Sequence, residues 1–347
     1  MISLAVKYRP STFDDVVEQE SIKVILQQQL ESGEVKHAYL FCGGAGTGKT
    51  TCARIFANEI NQGKGNPIEM DAASHSSVED VRNIIQQAKS KSLDSEYKVF
   101  IIDECHAISL MGWQAFLKLL EEPPAKSIFI FATTDPQKIP KTILSRVQRY
   151  DFSRISQDGI VDRLKYIIFQ EYFIPDKEKE VPQIMEALEY IAKIADGGMR
   201  DAITLMDKAL SYSKDLTLEN VVKALGTTNY DIMFQLTDKM VYSDSMAMMS
   251  IIDSIHADGK DLKRFIKTYI QFLLDVNKYA LGCDWKQLSL PHLEEYEKRM
   301  NKWLKDNDIF TSLLNAVVKI DSDIKYSTTP KYEIEAKMLL WIEGGTE

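Results

Sequence analysis

Between residues 38 and 152 the chain alternates short apolar runs with longer amphipathic stretches. The runs are AYLFC (38–42), PIEMD (67–71), KVFIID (98–103), SIFIFAT (127–133) and VQRYDF (147–152). Apolar runs with little polar alternation are what strands of a parallel sheet look like when both faces are covered, and the intervening segments are long enough for crossover helices. The pattern predicts an α/β domain with a parallel five-stranded sheet. After residue 155 the strand signal disappears. GIVDRLKYIIFQEYF, VPQIMEALEYIAKIAD and MRDAITLMDKAL carry apolar positions at helical spacing and are separated by PDKEKE and by the Gly197-Gly198 break, which predicts a three-helix unit. A second helical block begins near Thr227, after LTLENVVKALGTT. Its clearest helix sets Leu262, Phe265, Ile266, Tyr269, Leu273 and Val276 on one side with Lys and Asp on the other, a stripe that reads as domain core. The expected division is 1–155 for the sheet domain, 156–226 for the three-helix unit and 227–347 for an all-helical domain.

Length and composition agree with this division. At about 100–200 residues per domain, 347 residues make two or three domains, and 45% hydrophobic with 27% charged residues is ordinary globular composition. Cys42, Cys52, Cys105 and Cys283 form no C-x-x-C pair, which argues against a zinc knuckle or a disulfide framework and fits a reducing, cytoplasmic setting. MISLAVKYRP has no apolar core of signal-peptide length, and no stretch is apolar enough for a transmembrane helix, so neither secretion nor a membrane partner is expected. Net charge is −9, but residues 1–150 hold 17 Lys and Arg against 18 Asp and Glu, leaving 25 against 33 in the remainder. Any nucleic-acid contact must therefore come from a local patch in the near-neutral part.

Candidate chemistry begins at Gly43-Gly44-Ala45-Gly46-Thr47-Gly48-Lys49-Thr50, followed by Thr51. This is a full G-x-x-x-x-G-K-T between the strand AYLFC and the helix KTTCARIFANEI. Glycines let consecutive N–H groups turn toward a β-phosphate, the helix N-terminus adds partial positive charge, Lys49 reaches the β/γ-phosphates, and the Thr50 hydroxyl ligates Mg²⁺. The strand at 98–103 ends in Asp103-Glu104. There Asp103 can hold the Mg²⁺ shell and Glu104 can orient and polarise the attacking water. Cys105 and His106 complete a DECH string that suggests a helicase box, although a lone histidine there reads as structural. Thr133 and Thr134 end the next strand at the same sheet edge and are both candidates to sense a γ-phosphate or water. Arg146 lies just before the last strand.

In order and spacing, the segments KYRP (7–10) with FDDVVEQE, HAYLFCGGAGTGKT, EMDAASHSSVEDVR, VFIIDECHAIS, LLEEPP, FATTDPQKIPKTILSR and GGMRDAITLMDKA resemble the AAA+ clamp-loader ATPases, in their bacterial gamma/tau branch. The match runs from Lys7 to about Gly226 and more faintly beyond. It implies a RecA-like AAA+ P-loop NTPase core, a three-helix lid and a helical collar for oligomerisation. It also implies ATP and Mg²⁺ as cofactors, and a motor subunit of a DNA polymerase holoenzyme that opens a sliding clamp and places it on primer-template DNA. The expected partners are other subunits of a ring, a pentamer with delta-type subunits. By the same resemblance Tyr8, Arg9 and Pro10 border the nucleotide, Thr134 is the first sensor, and Arg146 is an arginine finger acting in trans. Arg200 is the second sensor, carried by the lid. DNA contact is expected at helix N-termini, from Ser74, Ser76, Ser77 and Arg82.

Departures from the family are specific. NEINQGKGNPIEMDAAS runs straight through where the bacterial family inserts a four-cysteine zinc module, so no zinc is expected. The cysteine usual after Ser-Arg is Val147, the glycine of V-G-Q-E is Glu18, and no τ-type extension is expected after the third domain. Two alternatives stand beside the motor reading. A non-hydrolysing scaffold subunit is opposed by intact Gly48-Lys49-Thr50 and Asp103-Glu104. A branch-migration or DExH-type motor would need a winged-helix or second RecA-like domain, and 227–347 reads as neither.

Overall fold

The computed structural model describes residues 2–90, 92, 94–172, 177–225, 230–303 and 307–344. Contacts divide it into two compact units, Met1–Lys208 and Ala209–Glu347.

In the first unit, β1 (Ala38–Gly43), β2 (Ile68–Asp71), β3 (Lys98–Asp103), β4 (Ser127–Thr133) and β5 (Gln148–Phe152) form one sheet in the order β2-β3-β4-β1-β5. Every neighbouring pair is parallel. The three strands with the longest apolar runs, β3, β4 and β1, occupy the centre, as burial on both faces requires. The edge strands are only half buried. Period-two alternation sends Leu40, Phe100, Phe129 and Phe131 to one face, against Trp113 and Phe116 of the helix Leu110–Glu121. Tyr39, Phe41, Ile101 and Ile130 face the other way, onto Ala53 and Phe56 of the helix Lys49–Ile60. Each such fully buried side chain contributes about 1.5–3 kcal/mol relative to exposure. Because all strands run in one direction, Gly43, Asp103 and Thr133 emerge at one sheet edge, the carboxyl ends where open α/β sheets bind ligands.

The segment between β5 and the next helix, Gln157–Glu171, is pinned by side chains from far back in the chain. Gln19 bonds Ser153 through both ends of its amide, and the Glu18 carboxylate accepts from the Ser156 N–H at 3.2 Å and from its hydroxyl. Glu18 has φ +57, a left-handed conformation that favours glycine. The family's usual residue therefore suits the backbone here, while glutamate adds a bond to the helix start. The helix Met199–Tyr212 follows where the periodicity placed it, whereas the helix Lys177–Ile194 begins four residues before the expected Val181, taking in KEKE of the expected PDKEKE separator, so that Pro182 lies inside the helix.

The second unit is helical. Phe234, Tyr269, Phe272, Trp303 and Phe310 are buried at its centre. Of the expected stripe on the helix Leu262–Ala280, Leu262, Ile266, Tyr269, Leu273 and Val276 are buried, and Phe265 packs half-buried against them. One position departs from the pattern. Asp275, on the side expected to be solvated, is fully buried, because its Oδ2 accepts from the backbone N–H groups of Ser289 (2.8 Å) and Leu290 (3.0 Å). Those two buried donors need an acceptor once the following loop folds back. The expected boundary at 226/227 falls outside the described residues. No helix among the described residues is long and apolar enough to cross a membrane.

Candidate nucleotide site

The loop after β1 is closed by its own lysine. Lys49 is 6% exposed, and its ammonium donates to the carbonyls of Gly43 (2.9 Å) and Gly44 (2.6 Å), while the Thr47 hydroxyl donates to Gly44 O at 2.9 Å. Burial lowers the Lys49 pKa, an effect that the nearby Glu104 and Asp103 charges oppose. Gly46 sits at φ +70, where a Cβ would lie 3.0 Å from Gly198 Cα. This close approach lets Met199 N–H donate to Gly46 O at 3.0 Å, so the helix Met199–Tyr212 begins directly against the loop.

Thr50, in the first turn of the helix Lys49–Ile60, donates its hydroxyl to Asp103 Oδ2 at 2.7 Å, and Glu104 N–H donates to Asp103 Oδ1 at 3.0 Å. These bonds orient the Asp103 carboxylate beside the Thr50 hydroxyl. Two hard oxygen donors suit Mg²⁺, which usually takes one or two protein oxygens and fills its octahedron with water and substrate phosphates. No cluster of three or more His, Cys, Asp or Glu among the described residues forms a cage for a metal by itself.

Glu104 adopts φ +46, which turns its side chain back toward the end of β4. Thr134 donates its hydroxyl to Glu104 Oε2 at 3.1 Å, and His106 Nδ1 lies 3.2 Å from the same oxygen. Thr133 is fully buried; its oxygen accepts from Asp135 N–H at 3.0 Å and is 3.1 Å from His106 Nδ1. Of the two threonines it is Thr134 that touches the acidic pair.

A cleft of about 340 Å³ runs over the loop, lined by Tyr8, Arg9 and Pro10, by residues 46–51, by Asp103 and by Arg200. Tyr8 is held twice. Its hydroxyl donates to Glu171, and partial burial together with that carboxylate pushes the phenol up to about 12. Its carbonyl accepts from Arg163 at 3.0 Å. Arg163 also lines the cleft and was not expected from the sequence, since one arginine on an amphipathic helix carries no signal until Tyr8, 155 positions earlier, is placed against it.

Other expected residues lie elsewhere. Gly43 and Gly44 act through the carbonyls that hold Lys49 and do not line the cleft, and neither does Ala45. Arg146 follows the short helix Lys141–Leu144, and its guanidinium donates to Thr142 O and to Glu121, both at 2.7 Å; it does not line this chain's cleft. The segment proposed for DNA departs from the expectation of open hydroxyls. The Ser74 hydroxyl donates to Asp71, and Ser77 forms a capping box with Asp80 at the start of the helix Val78–Ala88, whose first turn carries Glu79 and Asp80. The Ser77 hydroxyl and the Asp80 carboxylate thus already satisfy this helix start. Ser76 is half-buried, and Arg82 remains exposed one turn on.

A phosphate-type loop after β1, an acidic pair at the end of β3 and a hydroxyl just beyond β4, on a 2-3-4-1-5 parallel sheet, define an AAA+ nucleotide-binding domain. Residues 66–156 match the family described as DNA polymerase III, delta subunit, and residues 160–215 match the DNA polymerase III clamp loader subunit, ATPase lid domain. DNA polymerase III subunit tau of Bacillus subtilis is 38% identical over 96% of this chain and 62% of its own length. DNA polymerase III subunit gamma of Buchnera aphidicola subsp. Schizaphis graminum is 30% identical over 97% of this chain and 96% of its own. This chain belongs to the DNA polymerase III gamma/tau family. It spans about half the length of other relatives, such as 48% of the Escherichia coli tau subunit. Among solved structures, the RuvB Holliday junction branch migration motor of Thermotoga maritima superposes with a TM-score of 0.52 at 21% identity. The match covers 73% of this chain and 86% of RuvB, a likeness of fold.

Proposed function

We propose that this chain is an ATP-hydrolysing motor subunit of a clamp loader, which opens a sliding clamp and places it on primer-template DNA for a DNA polymerase III holoenzyme. The observation that carries this reading is the pairing of Thr50 with Asp103 and of Thr134 with Glu104 at the sheet edge beside one phosphate loop. A subunit that only scaffolds needs neither pair.

When ATP enters, Lys49 exchanges the Gly43 and Gly44 carbonyls for β/γ-phosphate oxygens. Thr50 and Asp103 would hold Mg²⁺, which when bound neutralises charge building on the phosphates. Glu104 accepts a proton from the attacking water as the water oxygen bonds the γ-phosphorus and the bond to the bridging oxygen breaks, releasing ADP and phosphate. Thr134 links the γ-phosphate region to Glu104, and Arg200 reports nucleotide from the helix that abuts Gly46. Tyr8, Arg9 and Pro10 enclose the nucleotide side of the cleft.

The assembly supplies the rest. Arg146, outside its own cleft, reaches the neighbouring subunit's ATP, in a ring with delta-type subunits built through residues 227–347. The core is 1–155, the lid is 156–226, and the setting is the cytoplasm. Of Ser74, Ser76, Ser77 and Arg82, expected to meet DNA phosphates, Ser74 and Ser77 are bonded to carboxylates, so Arg82 supplies the contact. Steady-state ATP hydrolysis by the chain together with its co-purifying subunits, clamp and primed DNA tests the reading. Turnover stimulated by clamp and DNA is expected, and full clamp loading by an assembly in which this chain alone carries Glu104→Gln would assign it a scaffold role instead.

A further inference from the structure

A single ring nitrogen lies within reach of both the acidic pair and the sensor strand. His106 Nδ1 is 3.2 Å from Glu104 Oε2 and 3.1 Å from Thr133 Oγ1. The His106 and Glu104 side chains are only 22% and 36% exposed, so water does not fully displace their contact. We propose that His106 is a positioning residue for ATP hydrolysis, which holds the Glu104 carboxylate in the orientation that lets it take the proton of the attacking water. The assignment rests on the ATPase reading of this site.

The hydrogen bond of Nδ1 is the one to Thr133 Oγ1, and the contact to Glu104 is electrostatic at 3.2 Å, attractive when the ring proton sits on Nδ1 because an ionised carboxylate offers only acceptors. The ring itself is placed by Thr133, whose oxygen is fixed by the Asp135 N–H at 3.0 Å. Thr134 donates to the same Oε2 at 3.1 Å. The Thr134 hydroxyl and the His106 ring nitrogen therefore both approach one oxygen of Glu104, and Oε1 is the oxygen left for water. Glu104 has its backbone in the left-handed region at φ +46, and Thr134 and His106 are side chains that meet its carboxylate. His106 is the third member of the base arrangement, the group that orients the base. The helicase-like string DECH acquires a use here that does not involve unwinding: His106 touches the base and the sensor strand, and it lies outside the lining of the nucleotide cleft.

The test compares His106→Leu, which removes the donor, with His106→Asn, whose amide nitrogen falls near the position of Nδ1. Both are assayed in the assembled complex with clamp and primed DNA, beside wild type and Lys49→Ala. Leucine should lower kcat on the order of 10- to 100-fold, the usual cost of removing a partner that orients a reactive group, while KM and affinity for a fluorescent ATP analogue stay within about twofold, as expected of a group that acts on the base and not on binding. Asparagine should recover most of the loss. In a Glu104→Gln background, His106→Leu should cost nothing further, because the base it positions is gone. Equal losses in the leucine and asparagine variants, or losses that multiply with Glu104→Gln, would overturn the positioning role while leaving the ATPase reading intact. Wild-type turnover no greater than that of Lys49→Ala would overturn both.

Discussion

Lys49→Ala tests the phosphate loop in a way that separates binding from folding. In the structure Lys49 donates to the Gly43 and Gly44 carbonyls, so nucleotide binding exchanges two bonds to neutral oxygens for bonds to charged phosphate oxygens. Hydrogen bonds to charged groups are worth about 1.5–3 kcal/mol each, neutral ones about 1. The exchange is thus worth about 1–4 kcal/mol, which at 1.4 kcal/mol per decade predicts a ~5- to 700-fold loss of ATP affinity. Stability should move little. Burial places the folded-state pKa of Lys49 below its unfolded value. Its charge therefore costs stability at neutral pH, a cost that fades as pH rises from the folded pKa toward the unfolded one. Alanine removes that cost and in turn leaves two loop carbonyls without the ammonium. Thermal unfolding with and without ATP, at a concentration 100 times the wild-type Kd, reads both effects. Wild type should gain about 2.7 kcal/mol from ligand and the variant less than about 1.8. A variant stabilised by ATP as strongly as wild type would refute the exchange.

Three further outcomes follow from the same geometry. Glu104→Gln keeps the acceptor for Thr134 but removes the base, so ATP binding should persist while kcat falls on the order of 10²- to 10⁴-fold, measured by single-turnover hydrolysis. Gly43→Ala would set a Cβ 2.5 Å from the Phe152 carbonyl oxygen at φ +152, between paired strands β1 and β5. It should destabilise the fold by about 2–4 kcal/mol, read as a lower denaturant midpoint. Arg146→Ala should bind ATP normally yet slow hydrolysis in an adjoining subunit. Mixed with Lys49→Ala chains, it should regain some activity where its own intact site faces a chain that retains Arg146, and mixed oligomers with no activity at any ratio would return Arg146 to a role within its own chain.

What the sequence made legible is what neighbouring positions determine. Uninterrupted apolar runs at 99–102 and 128–132 read as short strands covered on both faces, and they lie at the centre of the sheet. The strand-to-helix glycine loop places Lys49 by local geometry alone. Pairings across long separations were not legible: Arg163 onto the Tyr8 carbonyl, Glu18 onto Ser156, and Asp275 onto the loop that returns at Ser289. Each depends on where the fold brings a distant backbone donor or acceptor, and an isolated charged residue looks the same whether it meets one or faces water. The segment proposed for DNA shows the opposite case. Ser77-Val78-Glu79-Asp80 is a capping signature that can be read directly from the sequence, and the structure forms it. A first turn that holds two carboxylates opposes phosphate where a bare helix start would attract it. Electrostatics therefore moves any DNA contact in this segment from the serine hydroxyls to Arg82, one turn beyond the cap, where a cation stands clear of the helix start.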